Sequence, residues 1–260
     1  MTSLHIEEYC VYLRDVTKSL RASVTSPRGF AVRSPFRDFV HLKVLQNAKH
    51  FAKPPGVTCN LKPKSCKSKM SEIFKKHITK FAKVSDDEFE EIKKFFDTKE
   101  VAKKENLLEE GQICRHHYFV LSGLLRKFYI NEKGTEQTTE FAIETWWLTD
   151  NFAYENQVPT EFYIQAVEKS IVFYITQDKQ EKLLEEFPVM ERYLRFVYQR
   201  AYAAAQKRIK FLFSFSKEEF YFQAVRNHPE FVQRVPQYLI ASYLGFTPEY
   251  LSEIRKRLLS

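Results

Sequence analysis

The chain has 260 residues, which is enough for about two domains and a sizeable hydrophobic core. Aromatic residues make up 15% of it and there are only 6 glycines, a composition that is typical of a globular protein and excludes a flexible linker or a repeat array. No apolar run approaches the ~18 residues of a membrane span, and the first residues do not resemble a secretory leader, so we expect a cytoplasmic protein without a membrane partner.

The excess of positive charge lies in two segments. Residues 1–69 carry 13 Lys and Arg against 4 Asp and Glu, and residues 206–260 carry 9 against 5, whereas the segment between them carries 19 against 24. The net charge of +8 is therefore a property of the two ends. A basic C-terminal segment is what a surface that contacts DNA phosphates needs.

The first 69 residues form a basic extension. Residues 1–21 contain apolar side chains at helical spacing and predict one short amphipathic helix, whereas residues 22–69 are rich in Ser, Pro, Lys and Arg, and we expect them to be poorly ordered. Three interpretations are open: an arm that binds DNA phosphates, a targeting peptide, or a segment that precedes a natural start of the chain at Met70.

An antiparallel β domain is predicted after two short helices. Ser85 and Glu88 form a capping box that begins the second of these helices. From Lys99 to Tyr174, short β-type runs alternate with turn signals, which favours a sandwich or a jelly roll. The predicted strands are 107–108, 118–121, 124–130, 137–143 and 162–175.

A long helix is predicted after the β domain. A first helix at 176–187 is ended by Pro188, and the segment 190–213 predicts one of about 24 residues. Two apolar stripes run along this helix, so it needs two partners. One stripe can pack on the β domain and the other suits a seam with a second copy of the chain; the alternative is that one subunit covers both. The residues assigned to dimerisation are Leu194, Val197, Ala201 and Ala204.

The C-terminal segment predicts three further helices, the last two joined by a tight turn. A capping box of Ser216 and Glu219 begins the first of them. In the following pair, Gly245 suits a helix-ending turn, and Thr247 and Pro248 are favoured where the next helix begins. This is the geometry of a helix-turn-helix, whose second helix lies in the major groove of DNA. The alternative is a helical hairpin that contacts nothing.

The second helix of this pair has a polar side. Leu251, Ile254 and Leu258 recur at helical spacing and predict its buried side. On the opposite side, the first residues are nearest to base edges, where Glu accepts from cytosine and Ser serves either base type. The basic residues that follow reach phosphates or form a solvated cluster at the helix end. The residues assigned to DNA binding are Thr247, Pro248, Glu249, Ser252, Glu253, Arg255, Lys256 and Arg257.

One family pattern is matched by Gly111, the segments 118–123 and 131–134, Trp146–Trp147 and the segment 234–249. Through them, residues 70–260 resemble the CRP/FNR-type transcription regulators, the family of the cyclic-AMP receptor protein, and in particular their Bacteroidetes-type members. The resemblance implies a homodimer that binds a two-fold symmetric site on double-stranded DNA and contacts RNA polymerase. Pro248 and Glu253 stand where the cyclic-AMP receptor protein has arginines, so its target sequence is not carried over.

These features together predict an α+β chain of four parts. Residues 1–69 are the basic extension, 70–188 a cyclic-nucleotide-binding-like β jelly roll that acts as a sensor, 189–213 the dimerisation helix, and 214–260 the helix-turn-helix DNA-binding domain. The leading hypothesis is a dimeric transcription regulator without enzymatic activity. The rival is a small-ligand-binding or metal-dependent jelly-roll protein whose terminal helices only pack.

The sensor departs from the family pattern for cyclic nucleotides. Family members that bind them hold the phosphate with a Gly-Glu pair, a short helix and an Arg followed by a small residue. The corresponding segments, 146–152 and 158–161, contain neither Gly nor Arg, so we expect no binding of cyclic AMP. An unknown effector is left open, with Trp146, Trp147, Thr149 and Thr160 as its pocket. Since adjacent strand residues face opposite sides, at least one of the tryptophans is expected in the core.

No metal, cofactor or catalytic site is expected. His116 and His117 are adjacent on a predicted strand and point to opposite faces, so they cannot bind one metal, and we expect them at the surface. The four cysteines, which show neither disulfide nor zinc spacing, are Cys10, Cys59, Cys66 and Cys114.

Overall fold

The computed structural model describes residues 63–259, with side chains from 70 to 257. The predictions for residues 1–62 lie outside this range. The helices are α1 (Pro63–Thr79), α2 (Asp86–Lys93), α3 (Asn151–Asn156), α4 (Gln177–Glu186), α5 (Val189–Ser214), α6 (Lys217–Asn227), α7 (Pro229–Arg234), α8 (Gln237–Leu244) and α9 (Pro248–Leu259). The strands are β1 (Asp97–Val101), β2 (Asn106–Leu108), β3 (His116–Ser122), β4 (Leu125–Ile130), β5 (Glu136–Ala142), β6 (Trp147–Leu148), β7 (Tyr163–Ala166) and β8 (Ser170–Thr176).

The eight strands form two four-stranded sheets, in the orders β1-β8-β3-β6 and β2-β7-β4-β5, and every pairing is antiparallel. The predicted antiparallel β core is confirmed. Along β3 the side chains alternate: Phe119 and Leu121 face the helices, whereas Tyr118 and Val120 face the second sheet. The first sheet is therefore apolar on both faces.

The described part of the chain has three hydrophobic cores. The first lies between one sheet and helices α1, α2, α4 and α5, and its rings include Phe74, Phe119 and Tyr193. The second fills the space between the sheets, and the third joins the terminal helices to the β domain at Leu124 and Phe141. Because this third core contains residues of both parts, the terminal helices are packed on the β domain.

Two local predictions were wrong, and three elements, strand β1 and helices α3 and α7, were not predicted. Helix α1 begins at Pro63, so residues 63–69 are helical although the sequence predicted poor order there. Proline is favoured in the first turn of a helix, where its missing N–H costs nothing. The predicted strand 162–175 is two strands, β7 and β8, which flank a turn at residues 167–169.

Helix α5 extends one residue beyond each predicted end. Leu194, assigned to the dimer seam, is buried in the first core of its own subunit, and Val197 packs against the same core. The assignment of Leu194 needs correction, because a side chain enclosed by its own subunit cannot face a second one, whereas Val197 is half-buried and its assignment stays a prediction. Ala201 and Ala204 are exposed. Between residues 63 and 259, α5 included, no helix is both long and apolar enough to cross a bilayer.

Candidate nucleic-acid interface

A left-handed residue ends helix α8 and turns the chain into α9. Gly245 has φ 71°, a conformation that side chains with a Cβ rarely adopt. The amide of Phe246 donates to the carbonyl of Ala241 at 2.8 Å, and the Phe246 side chain is buried in the third core. This is the hydrogen-bond and packing pattern of a helix terminated by glycine. The short turn therefore holds α9 close to α8.

Helix α9 begins at Pro248, and the hydroxyl of Thr247 accepts a hydrogen bond from the amide of Tyr250 at 3.3 Å. Leu251 and Ile254 are each 1% exposed and pack in the third core. The inner side of the helix is thus held by apolar burial, as its spacing predicts. The side chain of Leu258, the third residue of this predicted row, lies outside the described residues.

The outer side of α9 is polar and reaches solvent. Thr247 and Arg257 are exposed and Arg255 is half-buried. Arg257, one of the cations assigned to DNA binding, donates to the Glu218 carboxylate of α6 at 2.6 Å and so forms an ion pair within the chain. The other exposed residues of the assigned set are Pro248, Glu249, Ser252, Glu253 and Lys256. The geometry suits contact with a groove, and the role in DNA binding stays a prediction.

The four residues assigned to a ligand pocket have separate surroundings. Trp146 is 52% exposed, whereas Trp147 packs against the first core and its Nε1 donates to the Tyr193 hydroxyl at 2.9 Å. One tryptophan is therefore in the core, as expected. Thr149 donates to the carbonyl of His116 and Thr160 to the carboxylate of Asp150. Both threonines are buried and satisfied within the chain.

A surface pocket of about 430 Å³ opens between α3, α4 and α5. None of the four assigned residues lines it. Its walls include Tyr154, Gln180 and Tyr198, with the carboxylates of Glu155 and Glu191 at the rim. Helical spacing along α5 could have indicated Tyr198, but the contributions of α3 and α4 depend on tertiary packing.

Sequence reasoning missed a buried cation, Lys127. It lies on strand β4 opposite Ile164, on the face that packs between the sheets. Its Nζ donates to the carbonyl of Thr149 at 3.2 Å and pairs with the carboxylate of Glu140 at 3.0 Å. Strand β4 lies outside segments 146–152 and 158–161, which correspond in sequence to the phosphate-binding region of the family. The charge of this lysine is compensated within the domain.

The expectation of surface histidines was wrong for His117. Its side chain is 2% exposed, and its ring lies 4.5 Å from that of Trp147 and 6.0 Å from that of Tyr198. Burial lowers its pKa to about 3, which keeps it neutral at ordinary pH. His116 is half-buried on the opposite face and packs against Tyr174. Within the described residues, no group of three or more His, Cys, Asp or Glu side chains could hold a metal ion.

The comparison with protein families gives the β domain a match. Residues 98–187, from β1 through α4, match the cyclic nucleotide-binding domain. No curated protein matches the sequence.

Solved structures of regulators have the same fold. A protein from Eubacterium rectale described as a Crp/Fnr-family transcriptional regulator is 14% identical, with a TM-score of 0.55 over 67% of this chain and 83% of that one. FixK2 from Bradyrhizobium japonicum is 18% identical, with a TM-score of 0.52 over 63% and 84%. The c-di-GMP-responsive global regulator CLP from Xanthomonas campestris is 12% identical, with a TM-score of 0.51 over 65% and 89%. The chain has the fold of the Crp/Fnr-type regulators.

Proposed function

We propose that the chain is a homodimeric transcription regulator of the Crp/Fnr type that binds a two-fold symmetric promoter site through helix α9. The observation that carries this proposal is the division of α9 into a buried apolar side and an exposed polar side that begins at its N-terminus. A recognition helix needs such a division, because one side must be anchored while the N-terminal residues of the other reach base edges. RNA polymerase is the further partner that the family resemblance implies.

Dimer formation is supported by the second part of helix α5. Tyr202, Ile209, Leu212 and Phe213 are each more than half exposed in the single subunit. Large apolar side chains in a row favour burial against another chain. The proposal requires that two helices packed along this row hold both recognition helices on one side of the dimer, since half-sites one helical turn apart are about 34 Å apart on DNA.

A β domain that does not bind cyclic AMP is part of the proposal. The hydroxyl of Thr160 is 2.7 Å from the Asp150 carboxylate, and the Lys127 amine is paired with Glu140. A cyclic phosphate would need a free cation and free N–H donors in this region. Titration calorimetry of the full chain with cyclic AMP is expected to give no saturable heat, and a saturable heat would contradict this part.

The DNA proposal is tested by selecting sites for the full chain from a pool of random-sequence duplexes. The expected product is a symmetric site that shifts in a gel at low salt. Glu249→Ala is expected to relax base preference at one position of each half-site, since a good base contact contributes about 1–3 kcal/mol of discrimination. Lys256→Ala is expected to weaken all sequences alike and to reduce the salt slope by about one.

Lys179→Ala serves as the control, because Lys179 forms a surface ion pair with Asp97 on the β domain. It is expected to leave DNA binding unchanged. Failure of the wild-type chain to enrich any site or to shift any duplex at low salt would overturn the proposal.

A further inference from the structure

One arginine joins the terminal helices to the β domain through two carboxylates. Arg234, the last residue of α7, donates from Nη1 and Nη2 to Glu144 at 2.8 and 2.7 Å, and from Nε and Nη2 to Glu168 at 3.0 and 2.6 Å. Glu144 precedes β6 and Glu168 lies in the turn between β7 and β8. A guanidinium presents its N–H groups in a planar fork that matches such an arrangement, and a lysine amine cannot reproduce it.

The β domain holds one of these carboxylates in place independently of Arg234. Glu144 accepts a hydrogen bond from the amide of Gly123 at 2.9 Å. Gly123 has φ +105°, and a Cβ there would lie 2.2 Å from the Ser170 hydroxyl, so this turn has room for glycine alone. Burial by itself would raise the pKa of Glu144, but the hydrogen bonds from Arg234 and Gly123 outweigh it and lower the pKa. The contact therefore stays ionised at neutral pH.

A second polar contact lies at strand β5, which is the outermost strand of its sheet among the described residues. The Ser242 hydroxyl of α8 donates to the carbonyl of Glu136 at 2.7 Å and accepts from the amide of Thr138 at 2.8 Å. These two backbone groups point away from β4 and would otherwise lack a ladder partner. Helix α8 thus satisfies the free edge of the sheet.

The two contacts leave the outer side of α9 uncovered. They involve α7 and α8, whereas Glu249, Ser252 and Lys256 on α9 are exposed. A contact that blocked DNA binding would have to bury those side chains. Docking therefore orients α9 relative to the β domain without occluding it.

We propose that Arg234 is a positioning residue for DNA recognition, which holds helix α9 at a set orientation by bridging Glu144 and Glu168. The inference rests on the proposed function. In a two-fold dimer, the orientation of the terminal helices α7, α8 and α9 on each β domain sets the distance between the two copies of α9. Arg234 thereby determines how strictly the protein selects the spacing of the two half-sites.

The first test needs no DNA. Hydrogen exchange followed by mass spectrometry compares the full chain with Arg234→Gln and Arg234→Lys, with Lys179→Gln as a matched loss of an ion pair elsewhere. Both Arg234 variants are expected to speed exchange of the Thr138 amide by about tenfold. The reason is that the hydrogen bond from this amide to Ser242 opens more often when the bridge from Arg234 to Glu144 and Glu168 is lost. Unchanged exchange in both variants would overturn the proposal.

The second test uses the symmetric duplex selected for the wild-type chain and versions with one or two base pairs inserted between the half-sites. Wild type is expected to lose affinity steeply on insertion, whereas Arg234→Gln is expected to bind the three duplexes within about threefold of one another. A change that merely reduced the folded fraction would lower all three affinities by one factor. That result, or tighter binding of all three duplexes, would overturn the proposal.

Glu168→Gln provides a milder variant, since it leaves the Glu144 fork intact and is expected to give an intermediate spacing preference. Full wild-type preference in this variant, with loss only in Glu144→Gln, would restrict the role to Glu144 and overturn the two-carboxylate form of the proposal. If the wild-type chain binds no duplex, the proposed function fails. The exchange experiment still decides whether Arg234 holds helices α7, α8 and α9 on the β domain.

Discussion

The two parts of helix α5 have the same kind of amphipathic pattern and opposite surroundings. In residues 189–197, Met190, Tyr193 and Leu194 are buried in the first core. In residues 198–214, Tyr202 is 67% and Phe213 is 88% exposed. An apolar stripe shows that a helix needs a partner, but it does not show whether that partner is in the same chain. The first part has its partner in the same subunit, whereas in the second part Phe211 packs on the third core and the exposed side is where we propose the second copy of the chain.

The buried part is held by a polar contact as well as by packing. The Tyr193 hydroxyl accepts from Nε1 of Trp147 at 2.9 Å and lies 2.8 Å from Nδ1 of His77. The indole N–H can only donate, so the hydroxyl accepts from Trp147, and the direction of its hydrogen bond with His77 is set by the tautomer of that imidazole. One hydroxyl therefore links α1, β6 and α5.

The largest expected effect separates the two parts directly. Leu194→Ala removes a side chain from the first core and is expected to lower the free energy of unfolding by about 2–5 kcal/mol, independently of protein concentration. Leu212→Ala, its control in the exposed part, is expected to change stability only where dimer is present. Urea unfolding at two protein concentrations measures both. Equal, concentration-independent losses would remove the distinction between the two parts.

A smaller effect is expected from a single hydroxyl. Tyr193→Phe leaves Nε1 of Trp147 and Nδ1 of His77 without their partner, which is expected to cost about 1–3 kcal/mol of unfolding free energy. Tyr238→Phe changes the same atoms at a site on α8 that is 50% exposed and outside the proposed seam, and it is expected to be neutral within about 0.5 kcal/mol. Thermal and chemical unfolding of the two variants compares them. A neutral Tyr193→Phe would show that packing alone holds the first part.

A charged side chain introduced into the exposed second part of α5 tests whether this part is the dimer seam. Ala205→Glu is expected to weaken dimer formation by at least about tenfold, because Ala205 is exposed on the same side of the helix as Tyr202 and Ile209, so that two carboxylates would meet in the seam. Ala203→Glu, which is about 160° around the helix from Ala205, is the matched control. Sedimentation equilibrium measures the dissociation constants. If both variants dimerise like wild type, the second part of α5 is not the seam.

The smallest effect concerns pH. Burial, with the charges of Lys80 and Arg200, lowers the pKa of His77 from 6.5 to about 4. Between these two values the unfolded chain binds more protons than the folded one, so stability rises with pH from about 4 to 6.5. Burial lowers the pKa values of His116 and His117 as well, and they add to the same trend. His77→Gln is expected to flatten the rise between pH 5 and 6.5, measured by unfolding at constant ionic strength. An unchanged slope would exclude His77 as a contributor.

Local signals in the sequence predicted those elements whose causes are local. The capping boxes at Ser85 and Ser216 form as predicted, and Gly245 is left-handed where the turn requires it. Strand β1 escaped prediction because only Val101 of its five residues is buried. Its pairing with β8 is made by backbone groups that carry no side-chain pattern.

In the candidate site, too, the features with local causes could be predicted and those that depend on distant residues could not. Helical spacing predicted the buried and exposed sides of α9, because both follow from the period of one helix. It could not predict that Arg234 meets Glu144, a residue 90 positions earlier in the chain, or that Ser242 meets the edge of β5. Nor could it predict Lys127 between the sheets. Single polar residues far apart in sequence have no periodicity from which their contact could be inferred.

The covering of strand β5 by Ser242 has a consequence for solubility. If helices α7 and α8 move away from the β domain, the carbonyl of Glu136 and the amide of Thr138 lose their hydrogen bonds to Ser242. Phe141 then also loses its ring contacts with Phe231 and Tyr243. A bare strand next to an apolar ring is a template for pairing with the same strand of another molecule. Movement of α7 and α8 away from strand β5 would therefore promote aggregation. The helices that present α9 to solvent would thus also protect the β domain from polymerising.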